Sequence, residues 1–267
     1  MATESDQEIA TLSGAQLQRA LLARLRFEQA LGLESVRPVM SPPRVKLEEP
    51  RVPPSLPTTS PATPLSPIIS PATSVATVAT PITTAARWRD IEARVKTCAQ
   101  CALHKGRNNV VFGAGNREAH LVFVGEAPGY DEDLQGLPFV GKAGQLLNRI
   151  VAAMGLNRED VYICNIVKCR PPENRAPLPD EIAACNPCFV EQIELIKPKV
   201  IVALGNSAAK TLLKTTQGIT SLRGHWFNYR GIPVMPTYHP AFLLYQYIET
   251  NRKAVWDDMK QVMEKLK

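Results

Sequence analysis

The cysteines carry the clearest chemical signal in this sequence of 267 residues. Four of the six form two C-x-x-C pairs far apart in the chain, Cys98 with Cys101 and Cys185 with Cys188. Paired thiolates on tight loops bind zinc tetrahedrally, so by spacing alone the two pairs predict a four-cysteine zinc site. The same soft thiolates also suit iron–sulfur clusters.

The two remaining cysteines compete for a place in such a site. Cys164 falls inside a predicted buried strand, where an inert core thiol is the usual role. Cys169 comes just past the end of that strand, within residues 168–172, where a thiolate can reach a ligand. Spacing alone therefore decides neither the metal nor the ligand set.

Acidic residues form a second chemical group. Glu126 lies in the Gly-Glu-Ala-Pro-Gly turn of residues 125–129, and three further acids follow at positions 131–133. A rigid glycine–proline turn brings backbone groups close to a ligand. Four acids in an otherwise basic region favour a site over a solvated turn. His239 is a similar candidate, because it follows a predicted strand at the same edge of the sheet.

One glycine motif is a weaker signal. Residues 136–143 resemble a phosphate-binding P-loop, but Ala143 stands where Ser or Thr would bind magnesium. The segment also follows an acidic loop rather than a strand. Nucleoside triphosphate binding is therefore disfavoured.

These chemical groups fall within alternating helix and strand patterns. Apolar runs predict strands at residues 120–126, 161–167, 200–205 and 233–238. Amphipathic stretches predict helices at residues 88–95, 142–154, 179–196 and 252–267. This order indicates a three-layer α/β/α domain with a central, mostly parallel four-stranded sheet. Ligands of such sheets bind beyond the carboxyl ends of the strands, where the turn at Glu126 and His239 both lie.

The N-terminal third has a different composition. Twelve of the 23 prolines lie between Pro38 and Pro81, in a stretch rich in Ser, Thr and Ala and without aromatic residues. Such a stretch buries too little apolar surface to fold, so residues 37–85 are predicted to be a disordered linker. Residues 1–36 form an N-terminal extension whose leucines at 17, 21 and 25 predict an amphipathic helix. This helix either packs on the domain of residues 86–267 or docks a protein partner.

The distribution of charge divides the chain at the same place. Residues 1–86 hold seven basic and seven acidic residues, so the whole net charge of +6 falls on the remainder. A basic domain suits a polyanion such as nucleic acid. No apolar run approaches a membrane span, and the N-terminus shows no signal-peptide pattern. We expect an intracellular, cytoplasmic protein without membrane contact, associated with the nucleoid when it acts on DNA.

Four motifs together resemble the family 4 uracil-DNA glycosylases, the iron–sulfur type of their superfamily. They are GEAPG at residues 125–129, PFVGKAGQLL at 138–147, NIVKCRPP at 165–172 and HPAFLL at 239–244. The resemblance covers residues 88–267 and stops before the proline-rich stretch. It implies a monomeric, monofunctional DNA repair enzyme that acts in base excision repair. Such an enzyme hydrolyses the N-glycosidic bond of deoxyuridine in single- or double-stranded DNA.

The resemblance also implies a ligand set for the cysteines. In the family, a C-x-x-C pair joins a cysteine of the KCRPP segment and another about sixteen residues later. The matching residues are Cys98, Cys101, Cys169 and Cys185, which would hold one [4Fe-4S] cluster. Cys188 stands where the family often has an aromatic residue, so the resemblance implies that it is not a ligand.

The pocket follows from the same motifs. Phe139 would stack on a flipped uracil, and Asn165, whose amide both donates and accepts, would read its edge. Backbone groups of Glu126, Ala127 and Pro128 would line the pocket. The resemblance places His239 where it can donate to the uracil O2.

The resemblance identifies the group that orients the attacking water less directly. Ala127 stands where better-known relatives have an aspartate, so Glu132 or Glu126 is expected to replace it, with Asp131 behind. The alternative role for Glu132 is a wall that excludes thymine. Around the pocket, phosphate contacts are expected from Lys142, Lys168, Arg170 and Arg175. Leu243 or Leu244 would wedge into the DNA stack.

A different class of function also fits part of the sequence. A non-catalytic nucleic-acid-binding module with a structural metal site explains the charge and the cysteines. It leaves Phe139, Glu132 and Asn165 at the sheet edge unexplained.

Overall fold

The structure is a computed structural model that describes Leu22, residues 83–246 and residues 248–267. Apart from Leu22, the predicted N-terminal helix lies outside these residues, and so does the predicted linker up to residue 82. The first helix after residue 82 starts at Thr84, four residues before the predicted helix of residues 88–95, and the Thr83 hydroxyl caps it by accepting the Ala86 N–H at 3.2 Å.

Helices and strands alternate along the domain. The helices are α1 (Thr84–Lys96), α2 (Tyr130–Gln135), α3 (Lys142–Ala153), α4 (Pro179–Ile196), α5 (Asn206–Leu213), α6 (Ile219–Leu222), α7 (Pro240–Tyr245) and α8 (Glu249–Leu266). The strands are β1 (Ala114–Gly115), β2 (Leu121–Gly125), β3 (Tyr162–Asn165), β4 (Val200–Leu204), β5 (Phe227–Tyr229) and β6 (Ile232–Thr237). Short 3₁₀ turns cover Ala102–Lys105 and Pro172–Asn174.

The strands form one mixed sheet in the order β1-β3-β2-β4-β6-β5. The four central strands are parallel, and they are the four that the apolar runs predicted. The α/β prediction is confirmed, and the structure adds an antiparallel strand at each edge. These edge strands, β1 and β5, have two and three residues, too few for a periodic pattern to reveal them.

Both faces of the sheet are covered. Val122 and Val124 of β2 pack into one apolar cluster with residues of α1, α4 and α5. Leu121 and Phe123 point the other way, into a second cluster with residues of α3 and α8. Because side chains alternate along a strand, this division gives the three layers that near-continuous apolar strands predict. Among the described residues, no helix is long and apolar enough to cross a membrane.

Candidate functional site

The floor of the site is the point where β2 and β3 end together. Gly125 pairs with Asn165 in the parallel register. A Cβ atom at Gly125 would lie 2.3 Å from Asn165 Oδ1 and 2.7 Å from Phe139 Cζ. Glycine is therefore required here, because two predicted pocket side chains approach its Cα directly.

Asn165 is the polar group of this floor. Its side chain is 2% exposed, and its Oδ1 atom has no hydrogen-bond partner. Leaving a buried acceptor unpaired costs about 1–3 kcal/mol, so such atoms call for an explanation. A ligand that donates a hydrogen bond to Oδ1 would supply one.

Phe139 lies in a strained loop against this floor. Its φ is +52°, a left-handed conformation that is uncommon for a bulky residue. A Cβ at Gly144 would lie 1.9 Å from the Phe139 carbonyl oxygen, so the loop rests directly on the start of α3. Strain of this kind persists only where the surroundings hold it, and it concentrates at functional sites.

Two charged side chains hold the loop. Glu132 accepts the N–H groups of Val140 at 2.9 Å, Gly141 at 3.1 Å and Gly129 at 3.1 Å. Arg158 donates to the Pro138 carbonyl on the other side of the loop. Sequence reasoning missed Arg158, because it lies far from Pro138 in the chain and belongs to no motif.

His239 completes this group. Its ring centroid is 5.7 Å from that of Phe139, with an angle of 33° between the ring planes. The Nδ1 atom accepts the Ala241 N–H at 3.1 Å, so the proton of the neutral ring is on Nε2. Burial lowers the pKa of His239 to about 4, and the charge of Glu132 only partly opposes this shift. At neutral pH His239 is therefore an uncharged donor.

Room for His239 comes from a glycine on the next strand. Gly205 follows β4 with φ +88°, and a Cβ there would lie 2.9 Å from the His239 Cβ. Gly205 and the end of β6 are joined by a hydrogen bond from the Gly205 N–H to the Thr237 carbonyl, at 2.8 Å. The carboxyl ends of β2, β3, β4 and β6 thus contribute to one site.

The other predicted acids have separate surroundings. Asp133 is fully buried and accepts the N–H groups of Asn108 at 3.0 Å and Asn109 at 3.3 Å. It stabilises that loop, so the prediction that it belongs to a ligand site is wrong. Glu126 is partly exposed in a small cleft with Ser207 and Thr211.

The remaining predicted pocket residues follow Glu126. Pro128 is buried. Ala127 packs against the apolar cluster on the face of the sheet opposite to Phe139.

The cysteines surround a separate cavity of about 270 Å³. Those that line it are Cys98, Cys101, Cys169, Cys185 and Cys188. They come from three places: the segment after α1, the segment after β3 and one turn of α4. Cys164 is fully buried in β3, as its position in an apolar run predicted.

Basic groups reach this cavity. Arg107 Nη1 lies 3.1 Å from the Cys169 sulfur, and the Lys168 N–H donates to the Cys185 sulfur at 3.3 Å. Burial raises the pKa of Cys169, and Arg107 opposes this. Among the described residues, no three Cys, His, Asp or Glu side chains converge tightly enough to hold a single metal ion.

The thiols around the cavity act on one another. The pKa of Cys185 is raised to about 11, mainly because burial disfavours its charged form, and the charges of Cys188 and Cys101 act in the same direction. Burial also raises the pKa of Cys169, with smaller contributions in the same direction from Cys185 and Cys101. The structure thus places Cys101, Cys169 and Cys185 near one another, with Cys188 near Cys185.

Two residues predicted to contact DNA are buried instead. Lys168 is 1% exposed and cannot reach a phosphate, so that prediction is wrong. Leu243 lies in the apolar core, whereas Leu244 is 38% exposed, so only Leu244 is free to enter a DNA stack.

The other basic residues are nearer the surface. Arg170 lies over the exposed Tyr130 ring, with 5.0 Å from its guanidinium carbon to the ring centroid. Arg175 forms an ion pair with Glu181 at 2.7 Å. Lys142 is exposed at the start of α3.

Comparisons with known proteins show which family the chain resembles. The model of the uracil DNA glycosylase superfamily matches residues 112–260. A type-4 uracil-DNA glycosylase of Thermotoga maritima is 46% identical over 179 residues, which cover 66% of this chain and 93% of the relative. One of Archaeoglobus fulgidus is 47% identical, with 59% of this chain and 83% of the relative covered. One of Saccharolobus solfataricus is 45% identical, with 66% and 85% covered. The resemblance that the four motifs suggested is confirmed.

Proposed function

The chain belongs to the uracil-DNA glycosylase superfamily, and we propose that it hydrolyses the N-glycosidic bond of deoxyuridine in DNA. The products are free uracil and an abasic site, as base excision repair requires. The observation that carries this proposal is the buried, unpartnered Oδ1 of Asn165, which lies beside Phe139 at the carboxyl edge of the sheet.

Asn165 accounts for the choice of base. Its Oδ1 accepts the N3–H of uracil, and its Nδ2 donates to O4. Cytosine has no hydrogen on N3 and presents an amino group in place of O4, so both hydrogen bonds would be lost. A site built to form hydrogen bonds rejects such an analogue strongly, because its own buried groups are left unpaired.

Phe139 and His239 act on the flipped base. Removing the nucleotide from the stack costs a few kcal/mol, and stacking on the Phe139 ring offsets part of this. When the bond from N1 to C1′ breaks, its electron pair leaves with uracil and negative charge gathers on O2. The His239 Nε2–H donates to O2, which stabilises this charge in a water-poor site.

The water that bonds to C1′ needs an acceptor, and we assign this role to Glu132 with Glu126 as the second acid. Glu132 accepts hydrogen bonds from three backbone N–H groups. A carboxylate can accept about four, so one position is left for the water. It is also the acid whose charge acts on His239.

The role of Glu132 can be tested with Glu132→Ala. Because Glu132 also holds the Phe139 loop, the assignment is supported by loss of uracil excision together with unchanged binding of DNA that carries an uncleavable deoxyuridine analogue. Full uracil excision with new activity on thymine would assign Glu132 to the exclusion wall instead.

We further propose that Cys98, Cys101, Cys169 and Cys185 hold one [4Fe-4S] cluster. A single zinc ion would draw its thiolates to about 2.3 Å from one point. A cavity of about 270 Å³ with thiols spread around it fits a larger group better. When bound, the cluster would staple the segment after α1, the end of β3 and α4 together.

Single cysteine variants test this ligand set. Cys169→Ser should lose the brown chromophore and iron, whereas Cys188→Ser should keep both. The reverse result would show that the ligand set is wrong.

Contacts with DNA are assigned to the exposed groups around the pocket. Leu244 would fill the vacated stack, and Arg170 with Tyr130 would meet the backbone or a neighbouring base. We propose that the protein acts inside the cell as a monomer. We assign the extension of residues 1–36 the role of docking a protein partner.

One assay separates the enzyme from a non-catalytic binding module. An oligonucleotide with a single uracil is incubated with the full chain, and alkali cleaves the strand at any abasic site. Cleavage at the uracil, but not at a matched cytosine or thymine, supports the glycosylase. Binding without an alkali-labile site would support the alternative. Iron analysis on the same preparation tests the cluster.

A further inference from the structure

Lys168 has an unusual position for a lysine. Its side chain is 1% exposed, and its ammonium donates to the main-chain carbonyl of Asn165 at 2.8 Å. The only ring near the ammonium among the described residues is that of Phe189, with 5.8 Å to the centroid. Lysine is almost never fully buried unless its charge is compensated.

Within the part of the chain that the structure describes, no carboxylate provides that compensation. The ion pairs of the described residues do not include Lys168. A carbonyl dipole and a ring face are weak partners for a charge removed from water. The negative charge must come from elsewhere in its surroundings.

The cysteine cavity is the available source. Lys168 lines it, together with the cysteines. Thiolates that hold a cluster would supply the negative charge that this ammonium lacks.

The same residue also touches the base-reading pocket. Its N–H donates to the Cys185 sulfur, while its Nζ holds the carbonyl of Asn165 three positions earlier. The turn between them is further attached to β2, because the Ile166 N–H donates to the Gly125 carbonyl at 3.0 Å. The main chain of Asn165 is thereby held, and its Oδ1 is kept in place over Gly125.

We propose that Lys168 is a positioning residue that neutralises the thiolate-held cluster and fixes the base-reading Asn165, so that the two sites depend on each other. This inference rests on the proposed function. It assigns Lys168 no contact with DNA and no part in the bond-breaking step.

The test compares Lys168→Met, which keeps a long unbranched side chain but removes the charge, with Lys168→Arg, which keeps the charge. Lys199→Met is the control, because Lys199 is exposed and precedes β4 at the opposite edge of the sheet. Each full-length variant is measured for iron content, reduction potential, and kcat and KM on a uracil oligonucleotide.

We expect Lys168→Met to lower kcat/KM roughly 10- to 100-fold, the usual effect of removing a supporting partner. Its cluster should have a lower reduction potential, because a nearby positive charge stabilises the reduced form. Lys168→Arg should restore the potential and most of the activity, and Lys199→Met should match the wild type.

Two results would overturn the inference. One is a Lys168→Met protein with the potential and kcat/KM of the wild type. The other is a Lys168→Arg protein as impaired as Lys168→Met, since charge would then not be the cause.

A second measurement covers the case in which Lys168→Met does not fold. Iron is removed from the wild type with a chelator, and binding of DNA carrying an uncleavable deoxyuridine analogue is measured. Weaker binding supports the link between the sites, and unchanged affinity refutes it. A wild type that excises no uracil would instead refute the proposed function.

Discussion

At the scale of the residue, the site contains one buried group, Asn165, whose hydrogen bonds are incomplete without a ligand. Its Oδ1 is unpaired, while its main-chain carbonyl is held by Lys168. An unpaired buried group costs stability, so a protein retains it where it serves binding. Stability and function should therefore respond in opposite directions to its removal.

Asn165→Leu tests this separation. Leucine has nearly the same shape, so we expect a melting temperature equal to or above that of the wild type. Uracil excision should fall roughly 100-fold or more, because both base-reading hydrogen bonds are lost. Thermal unfolding and single-turnover kinetics measure the two effects.

The contrasting variant is Gln192→Leu. In the wild type, the Gln192 Nε2 donates to the Phe112 carbonyl at 2.9 Å, within the core and away from the pocket. The Gln192 Oε1 is also buried and unpaired, but leucine would remove the two hydrogen bonds of Nε2, to the Phe112 carbonyl and the Tyr162 hydroxyl. The variant should therefore lose stability and retain the rate constant of excision. A less stable Asn165→Leu protein with normal excision would contradict the assigned role of Asn165.

The lowered pKa of His239 predicts that the stability of the fold depends on pH. Its pKa is about 4 in the fold and about 6.5 when unfolded, so the fold favours the neutral ring. This contribution is complete above pH 6.5 and is lost as the pH falls towards 4. The free energy of unfolding of the wild type, relative to His239→Gln, should decrease through that window. A difference that stays constant between pH 7 and pH 4 would refute the assignment.

At the scale of the element, the loop before α3 decides where Phe139 lies. Glu132 and Arg158 hold its backbone from two sides, and Gly144 lets its carbonyl rest on the helix. Phe139, with its φ of +52°, lies in the loop that these three contacts hold.

Gly144→Ala is expected to displace the loop. In a free helix alanine would be favoured over glycine by about 1 kcal/mol. Here its Cβ would lie 1.9 Å from a main-chain oxygen, which cannot rotate away. We expect excision to fall at least 10-fold, with weaker binding of the uncleavable analogue.

Gly218→Ala is the matched control. No atom lies within 4 Å of its added Cβ, and its φ of −80° suits alanine. It should leave excision unchanged. Normal excision by Gly144→Ala would show that the close approach to α3 does not position Phe139.

At the scale of the whole molecule, two sites share one edge of one sheet. The pocket uses the ends of β2, β3, β4 and β6, and the cysteine cavity joins the end of β3 to α4 and to the segment after α1. Strand β3 belongs to both, since it ends at Asn165 and is followed by Lys168 and Cys169.

The start of α1 predicts where the chain can be shortened. A protein beginning at residue 80 retains the Thr83 cap and should keep its iron and its excision activity. One beginning at residue 86 loses the first turn of α1 and its cap, at a cost of about 1 kcal/mol. Melting temperatures should separate the two proteins, whereas loss of activity in the longer one would show that residues 1–79 are needed for catalysis.

The sequence by itself determined the four central strands, the turn at Gly125 and the residues of the four motifs. These features depend on local patterns, because apolar runs and glycine–proline turns act over a few residues. Only the tertiary structure decided that Lys168 is buried while Leu244 is exposed, and that Asp133 holds the loop of Asn108 and Asn109. Burial depends on which distant elements pack against a side chain, and residue type or spacing does not record this. The link between the cysteine cavity and Asn165 appears for the same reason only when β3 and α4 are packed together.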